Sequence, residues 1–272
     1  MESEASQNTL CINCKASHQF KYCPECGQPA AKRELNFRYL YREFKDSVLG
    51  FDGRFPKTLT HALRNPGAMA RQFILGNRRK FIGPVGFFFV CLTVYILVMQ
   101  LSGFDMKSII QSQQSAFPQT DGDAAYINAS SAIGEKLNEY FRLFSFLNVL
   151  LLGVFLYLFN IKKGATFIQH MVYAFYVQGF NYLVSIGSLL IVATGNILLA
   201  SIYAASLPLV YQVHSYTTYD RSGGWIKRSV KGLAIFGCVI ISVFILTFAA
   251  TVIYLANNPD LMELFTKEAG KN

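Results

Sequence analysis

Four cysteines lie near the start of the chain as Cys11-x-x-Cys14 and Cys23-Pro-Glu-Cys26, the two pairs separated by eight residues. Each C-x-x-C turn offers two sulfurs from one knuckle, so two knuckles offer four. Four thiolates at about 2.3 Å in a tetrahedron are what a structural zinc site requires. Pro24 and Gly27 bend the second knuckle so that backbone amides face the sulfurs. Without a metal, the polar first 30 residues bury too little surface to fold. The pattern points to one structural Zn2+ held by Cys11, Cys14, Cys23 and Cys26, with no coordination position left open for catalysis. An iron–sulfur cluster accepts the same four thiolates. A redox dithiol reading lacks a thioredoxin-like strand and helix after the motif, and disulfides conflict with the reducing compartment expected for this segment. His18, between the knuckles, reads as an exposed loop residue. Cys91 and Cys238 fall inside apolar runs and read as small packing residues.

A second set of polar residues is neutral and lies in apolar surroundings: His170, Gln178, Asn181 and Ser185. Gln178, Asn181 and Ser185 share one helical face, with His170 nearer the helix start. In hydrocarbon such groups need partners. They either bond between helices or line a polar site for a lipid headgroup or small solute. A third set is basic and interleaved with aromatics: Arg38, Arg42, Lys45, Arg78, Arg79 and Lys80. Phe37, Leu40, Phe44 and Val48 recur at helical spacing among the first of these. That is an amphipathic helix suited to a membrane surface with anionic lipid. It suits a phosphate backbone less well, and no nucleic-acid partner is expected.

The elements that must carry these residues follow from composition. The chain has 272 residues, is 52 % apolar and 15 % charged, carries +9 and has a mean hydropathy of +0.30. That is too apolar for one soluble core and excludes disordered and disulfide-rich secreted classes. Runs long enough to cross about 30 Å of hydrocarbon occur at about 82–101, 143–161, 171–193, 197–213 and 233–255. The third and fourth meet at Thr194-Gly195-Asn196 as a helical hairpin. Ala200/Ala204 and Ser201/Ala205 read as small pairs for close helix approach, and Pro208 as a kink. No Asp, Glu, Lys or Arg lies inside a run, which argues against an ion-coupled carrier. The first 30 residues have no apolar core, so the first run reads as a retained anchor rather than a signal peptide.

Arg78-Arg79-Lys80, Lys162-Lys163 and the Arg221/Lys227/Arg228/Lys231 cluster all fall on one side if five runs cross. The 102–142 loop, with three basic and five acidic residues, falls on the other. The positive-inside rule then places the N-terminus in the cytoplasm and the C-terminus outside. The expected architecture is an all-α integral membrane protein with five transmembrane helices. It comprises a zinc ribbon (1–31), amphipathic juxtamembrane helices (32–81), a bundle (82–256) with an extracytoplasmic loop (102–142), and an extracytoplasmic tail (257–272). Asn65-Pro66-Gly67 separates two short juxtamembrane helices, at about 56–63 and 66–75.

The ribbon motif, the stretch Asn65-Pro66-Gly67 through Gly76-Asn77-Arg78-Arg79-Lys80-Phe81-Ile82-Gly83-Pro84, and Phe167-Ile168-Gln169-His170-Met171 together carry a resemblance. The chain resembles the bacterial multi-pass membrane proteins grouped as domain of unknown function 3667. That resemblance implies the membrane architecture and supplies no activity. No paired carboxylates, Ser/His/Asp set or phosphate-binding Gly loop is found, so a non-enzymatic role is expected. The leading expectation is a bacterial inner-membrane protein whose cytoplasmic ribbon binds another protein, as adaptor, scaffold or sensor. The alternative is a channel, carrier or lipid-handling protein. Expected partners are the bilayer, a cytoplasmic protein and, through the small-residue face, a second copy.

Overall fold

The computed structural model describes residues 9–30, 36–38, 40, 54–102, 141–192 and 194–259. Arg42, Lys45, most of the helix expected at 37–48, the 103–140 stretch and the tail beyond 259 lie outside the described residues.

The ribbon begins with a two-stranded antiparallel sheet, β1 (Thr9–Leu10) and β2 (Ser17–His18), pairing Thr9 with His18 and Leu10 with Ser17. Its two knuckles are built alike. The Lys15 amide donates to the Cys11 carbonyl at 3.0 Å, and the Gly27 amide to the Cys23 carbonyl at 2.8 Å. Both turn residues have left-handed backbone, with φ of +67° at Lys15 and +66° at Gly27. The amides of Cys11 and Cys23 close each knuckle by donating to the Ala16 and Gln28 carbonyls.

The rest is helical. Helices α1 (Arg54–Arg64) and α2 (Pro66–Ile74) are split where Pro66 removes a donor and opens the second helix at its first turn. The long helices are α3 (Pro84–Leu101), α4 (Phe141–Asn160), α5 (Phe167–Val192), α6 (Ile197–Tyr219) and α7 (Trp225–Ala256). Among the described residues, four segments are long and apolar enough to cross a membrane by length and composition: Pro84–Leu101, Phe144–Lys163, Phe167–Val192 and Trp225–Ala256. Helix α6 carries no Asp, Glu, Lys or Arg; its first part is apolar and its last turns carry Gln212, His214, Ser215, Thr217 and Thr218.

Helix α5 is central. It packs against α3, α4 and α6, while α6 packs on α7 and α7 on α4, so α4 to α7 close into a four-helix ring with α3 outside. Outward-facing Leu97, Leu158, Ile202, Ile241, Phe248 and Val252 are exposed, the apolar belt that a bilayer covers and water does not. Helix–helix approach depends on glycine. A Cβ at Gly179 of α5 would lie 2.9 Å from the Cα of Phe88 in α3. At the α5–α6 hairpin the close approach is Gly187 against Tyr203, whose hydroxyl donates to the Val184 carbonyl at 3.1 Å. The small pairs expected to do this do not: Ser201, Ala204 and Ala205 are exposed, and only Ala200 is buried.

Three helices run beyond their apolar runs. The third run was expected from Met171, yet α5 begins at Phe167. Thr166 and Gln169 exchange amide and side-chain hydrogen bonds there, forming a capping box that a hydropathy window cannot register. Helix α6 continues past Val213 to Tyr219, and α7 starts at Trp225 rather than at Leu233. At 1.5 Å per residue the 32 residues of α7 span about 48 Å, well beyond a 30 Å hydrocarbon layer.

The juxtamembrane helices bury their apolar faces against protein. Ala62, Met69, Ala70, Phe73, Phe81 and Ile82 join the core with Tyr173, Tyr176 and Tyr216. The Tyr176 hydroxyl donates to the Ile82 carbonyl, and Tyr211 to that of Ala62. A Cβ on Gly67 would come within 2.1 Å of the Tyr219 backbone nitrogen. Only glycine lets α2 sit this close to the end of α6.

Candidate metal centre and polar sites of the bundle

The thiol sulfurs of Cys11, Cys14, Cys23 and Cys26 lie within 4.8 Å of one another. Cys11 and Cys26 approach to 3.5 Å, as do Cys14 and Cys23. Ligands at about 2.3 Å in a tetrahedron stand about 3.8 Å apart, so the four sulfurs fit one metal ion. Burial acts to raise the Cys11 thiol. The amides of Cys14 and Asn13 and the neighbouring thiols outweigh it and lower the group to about 6. For Cys14 the Ala16 amide acts to lower the pKa, but burial and three neighbouring thiols drive it up to about 12. His18 corrects the sequence reading. It is buried, its Nδ1 lying 3.0 Å from the Phe20 carbonyl, because it takes the inward side of β2 while Ser17 takes the other.

The ribbon is fastened to the helices through Gln28, a buried residue that sequence reasoning left unassigned. Its Nε2 donates to the Gly76 carbonyl at 2.7 Å, and its Oε1 accepts from the Arg79 amide at 3.3 Å. The Arg79 guanidinium lies against Gly27. The six basic residues read as membrane-surface are therefore not alike. Arg38 and Arg79 are exposed. Arg78 is only 8 % exposed and stacks over Phe73 at 5.9 Å, because the turn after α2 folds it inward. Lys80 reaches Gln72 at 3.4 Å and lies over Phe81.

At the same end of the bundle a polar network joins four helices. Asp220 caps α6 and is the single carboxylate among the described residues from 54 onward. Its carboxylate accepts from Lys163, from the Ser222 amide at 2.9 Å and from the Ser222 hydroxyl at 2.7 Å. Burial acts to raise this group, but the bonds from Lys163 and Ser222 outweigh it and hold it at about 2. The Tyr216 hydroxyl lies between Asp220 Oδ2 and Asn160 Oδ1, at 3.1 and 3.2 Å, and donates to one at a time. Lys231 donates to Asn160 at 3.0 Å. Arg228 and Arg71 donate to carbonyls at the C-terminal end of α6, where cations offset the helix dipole.

His170 belongs to this end. It is buried, with Nδ1 3.2 Å from the Tyr219 hydroxyl, and its Nε2 has no partner among the described residues. It borders a cavity of about 260 Å³ with Arg71, Lys163, Tyr219 and Asp220. Gln178, Asn181 and Ser185 instead line a separate cavity of about 380 Å³ inside the four-helix ring. The sequence grouped His170 with these three. The structure divides them, because His170 lies eight residues, or about 12 Å, nearer the helix start than Gln178. Asn160, Tyr216, Gln212 and Asp220 were missed. The signal for Asp220 was a solitary carboxylate in a long basic and apolar stretch.

The fold and the site define a helical membrane protein carrying a four-cysteine cluster. Residues 52–96 match the model of a family described as a protein of unknown function (DUF3667). The resemblance read from the Asn65–Pro84 motif therefore holds over α1, α2 and most of α3. No curated protein and no solved structure matches the chain.

Proposed function

We propose that this is a non-enzymatic bacterial inner-membrane protein whose ribbon holds one zinc ion and engages a cytoplasmic protein partner. The observation that carries the reading is the division of the ribbon surface. The Gln28 edge is docked on the helices, while Leu10, Ile12, Phe20 and Tyr22 remain exposed, Phe20 at 68 %. Exposed aromatic and aliphatic side chains on so small a module mark a recognition surface rather than a core. Zinc supplies the rigidity that holds that surface in one shape, and it offers no open coordination site.

Five spans with the N-terminus inside remain our reading of the topology. Lys163 reaches Asp220 and Lys231 reaches Asn160. The α4–α5 and α6–α7 connections therefore share one end of the bundle. If α5 crosses the bilayer, α6 must cross back. The cations of both connections and of Arg78 to Lys80 then gather on one side, as the positive-inside rule requires of the cytoplasmic face.

The test is site-specific photocrosslinking in intact cells at Leu10 and Phe20. A discrete protein adduct is expected at both positions, and its loss in the Cys23→Ser/Cys26→Ser double variant. Adducts to lipid alone, or a protein adduct indifferent to the cysteines, would overturn the adaptor reading.

A further inference from the structure

The 380 Å³ cavity inside the ring of α4 to α7 has a mixed lining. Its polar groups are all neutral: Gln178, Asn181 and Ser185 from α5, Gln212 from α6, Asn148 from α4 and Thr247 from α7. Most of the α7 side is hydrocarbon, with Val239, Val243 and Phe244. No charged side chain borders the space. Its volume lies within the range of small-molecule sites.

Asn181 is the group that the protein alone does not satisfy. It is 6 % exposed, and its Oδ1 has no partner among the described residues. Its Nδ2 reaches Gln212 Oε1 only at 3.5 Å, the outer limit of a hydrogen bond. Ser185 is turned back onto the Asn181 carbonyl at 2.9 Å and does not relieve it. A buried amide oxygen left unpaired at membrane depth is costly. Asn181 borders the cavity, and a small turn of its amide would present Oδ1 to a ligand hydroxyl or amide N–H. A neutral lining cannot compensate a full charge, so the ligand's head must be uncharged.

The route of entry fixes the rest of the ligand. Toward the ribbon end the ring is stoppered by the Asn160, Tyr216, Asp220, Lys163 and Lys231 network. Sideways it is not. Ile240 and Phe244 border the cavity and are also 51 % and 71 % exposed on the outer apolar belt. The opening faces the hydrocarbon of a bilayer rather than water.

We propose that this cavity binds a neutral amphiphile from the bilayer, a single-chain lipid with a hydroxyl-bearing, uncharged head of the monoacylglycerol type. The head pairs with Asn181 and its neutral neighbours, and the chain lies along α7 toward the opening. This site is independent of the ribbon, so the crosslinking result at Leu10 and Phe20 does not bear on it.

The test uses full-length protein in phosphatidylcholine nanodiscs with a photoactivatable monoacylglycerol. Saturable labelling is expected on α5 and α7 peptides that contain Asn181 or Val243. Unlabelled monoacylglycerol should compete. Free glycerol and an ionised fatty acid should not. Asn181→Leu should weaken labelling about tenfold, the loss of roughly one buried hydrogen bond, with an unchanged melting temperature. Val243→Trp, which fills the apolar side without touching the amides, should do the same. Competition by glycerol alone would assign the space to a water-soluble solute and overturn the proposal. So would labelling spread over the outer belt, or labelling unaffected by either variant. If both variants unfold, the wild-type competition and the mapped peptides decide by themselves.

Discussion

Gln28 donates its side-chain amide to the Gly76 carbonyl at 2.7 Å, across 48 residues of chain. One residue thereby joins the second cysteine knuckle to the turn that leads into α3. Gly76 is buried, and its carbonyl also accepts from the Arg78 amide at 2.9 Å, so two donors meet on this one oxygen.

Gln28→Ala should lower stability by about 1 kcal/mol, the net worth of a hydrogen bond, because the Gly76 carbonyl keeps the Arg78 amide. Gln28→Glu should do no better, since it places an acceptor against an acceptor. Limited proteolysis between the ribbon and α1 should accelerate in both. Unchanged melting and unchanged cleavage would show that the ribbon is held by other means.

The metal prediction concerns identity and pH. Purified protein should hold about one zinc per chain, and Cys23→Ser/Cys26→Ser should lose it. Metal binding requires thiolates. Cys11, lowered to about 6, is already ionised at pH 7, whereas Cys14, raised to about 12, must release its proton. Zinc loading at pH 7 should therefore release protons, measurable by calorimetry in buffers of different ionisation enthalpy. Affinity should already fall with pH near 7 and fall more steeply as pH drops through about 6, where Cys11 also takes up a proton. Iron with visible charge-transfer bands in place of zinc would convert the site to an iron–sulfur centre.

Asp220 holds the connection between α6 and α7 against that between α4 and α5. Its pKa is depressed, so its stabilisation is complete above the unfolded value of 3.8 and is lost as pH falls through about 2. Between pH 5 and 8 this pair contributes no pH dependence. Asp220→Asn should destabilise by about 2 kcal/mol, less than a fully buried pair because Lys163 is partly solvated. In a double-mutant cycle, Lys163→Met should cost little once Asp220 is replaced. Strict additivity of the two changes would show that the ion pair is not the coupling.

The sequence made the chemistry of the cysteines legible because ligand spacing is local: a knuckle spans five or six residues. Long apolar runs were legible for the same reason. What was hidden is non-local. Nothing near Gly67 in the chain reveals that Thr218 and Tyr219 will pack on it. The inward turn of Arg78 depends on Phe73 being buried by α5. Amphipathic faces look alike whether protein or bilayer covers them, so nothing local to α1 and α2 tells that theirs turn toward the bundle. Gln212 was passed over because α6 loses its uniform apolar character where it enters the polar network.

The sharpest remaining prediction concerns α6. Its first 17 residues, to Val213, contain no charge, and Gln212, His214, Ser215, Thr217 and Thr218 lie in its last turns, beside α2 and the Asp220 network. An apolar hairpin partner and the shared end of both connections carry it across, so a reporter fused at Asn272 should behave as extracytoplasmic. A second fusion after Arg221 should behave as cytoplasmic, and a third at Gly195 as extracytoplasmic. If Asn272 reports cytoplasm while Arg221 does as well, α7 does not cross. If Gly195 and Arg221 report the same side, α6 lies along the membrane and the span count is four. Reversing the local charge tests the cause: Lys162→Glu/Lys163→Glu should weaken the bias without altering the helices, because orientation is set by the cations of short loops and not by the fold.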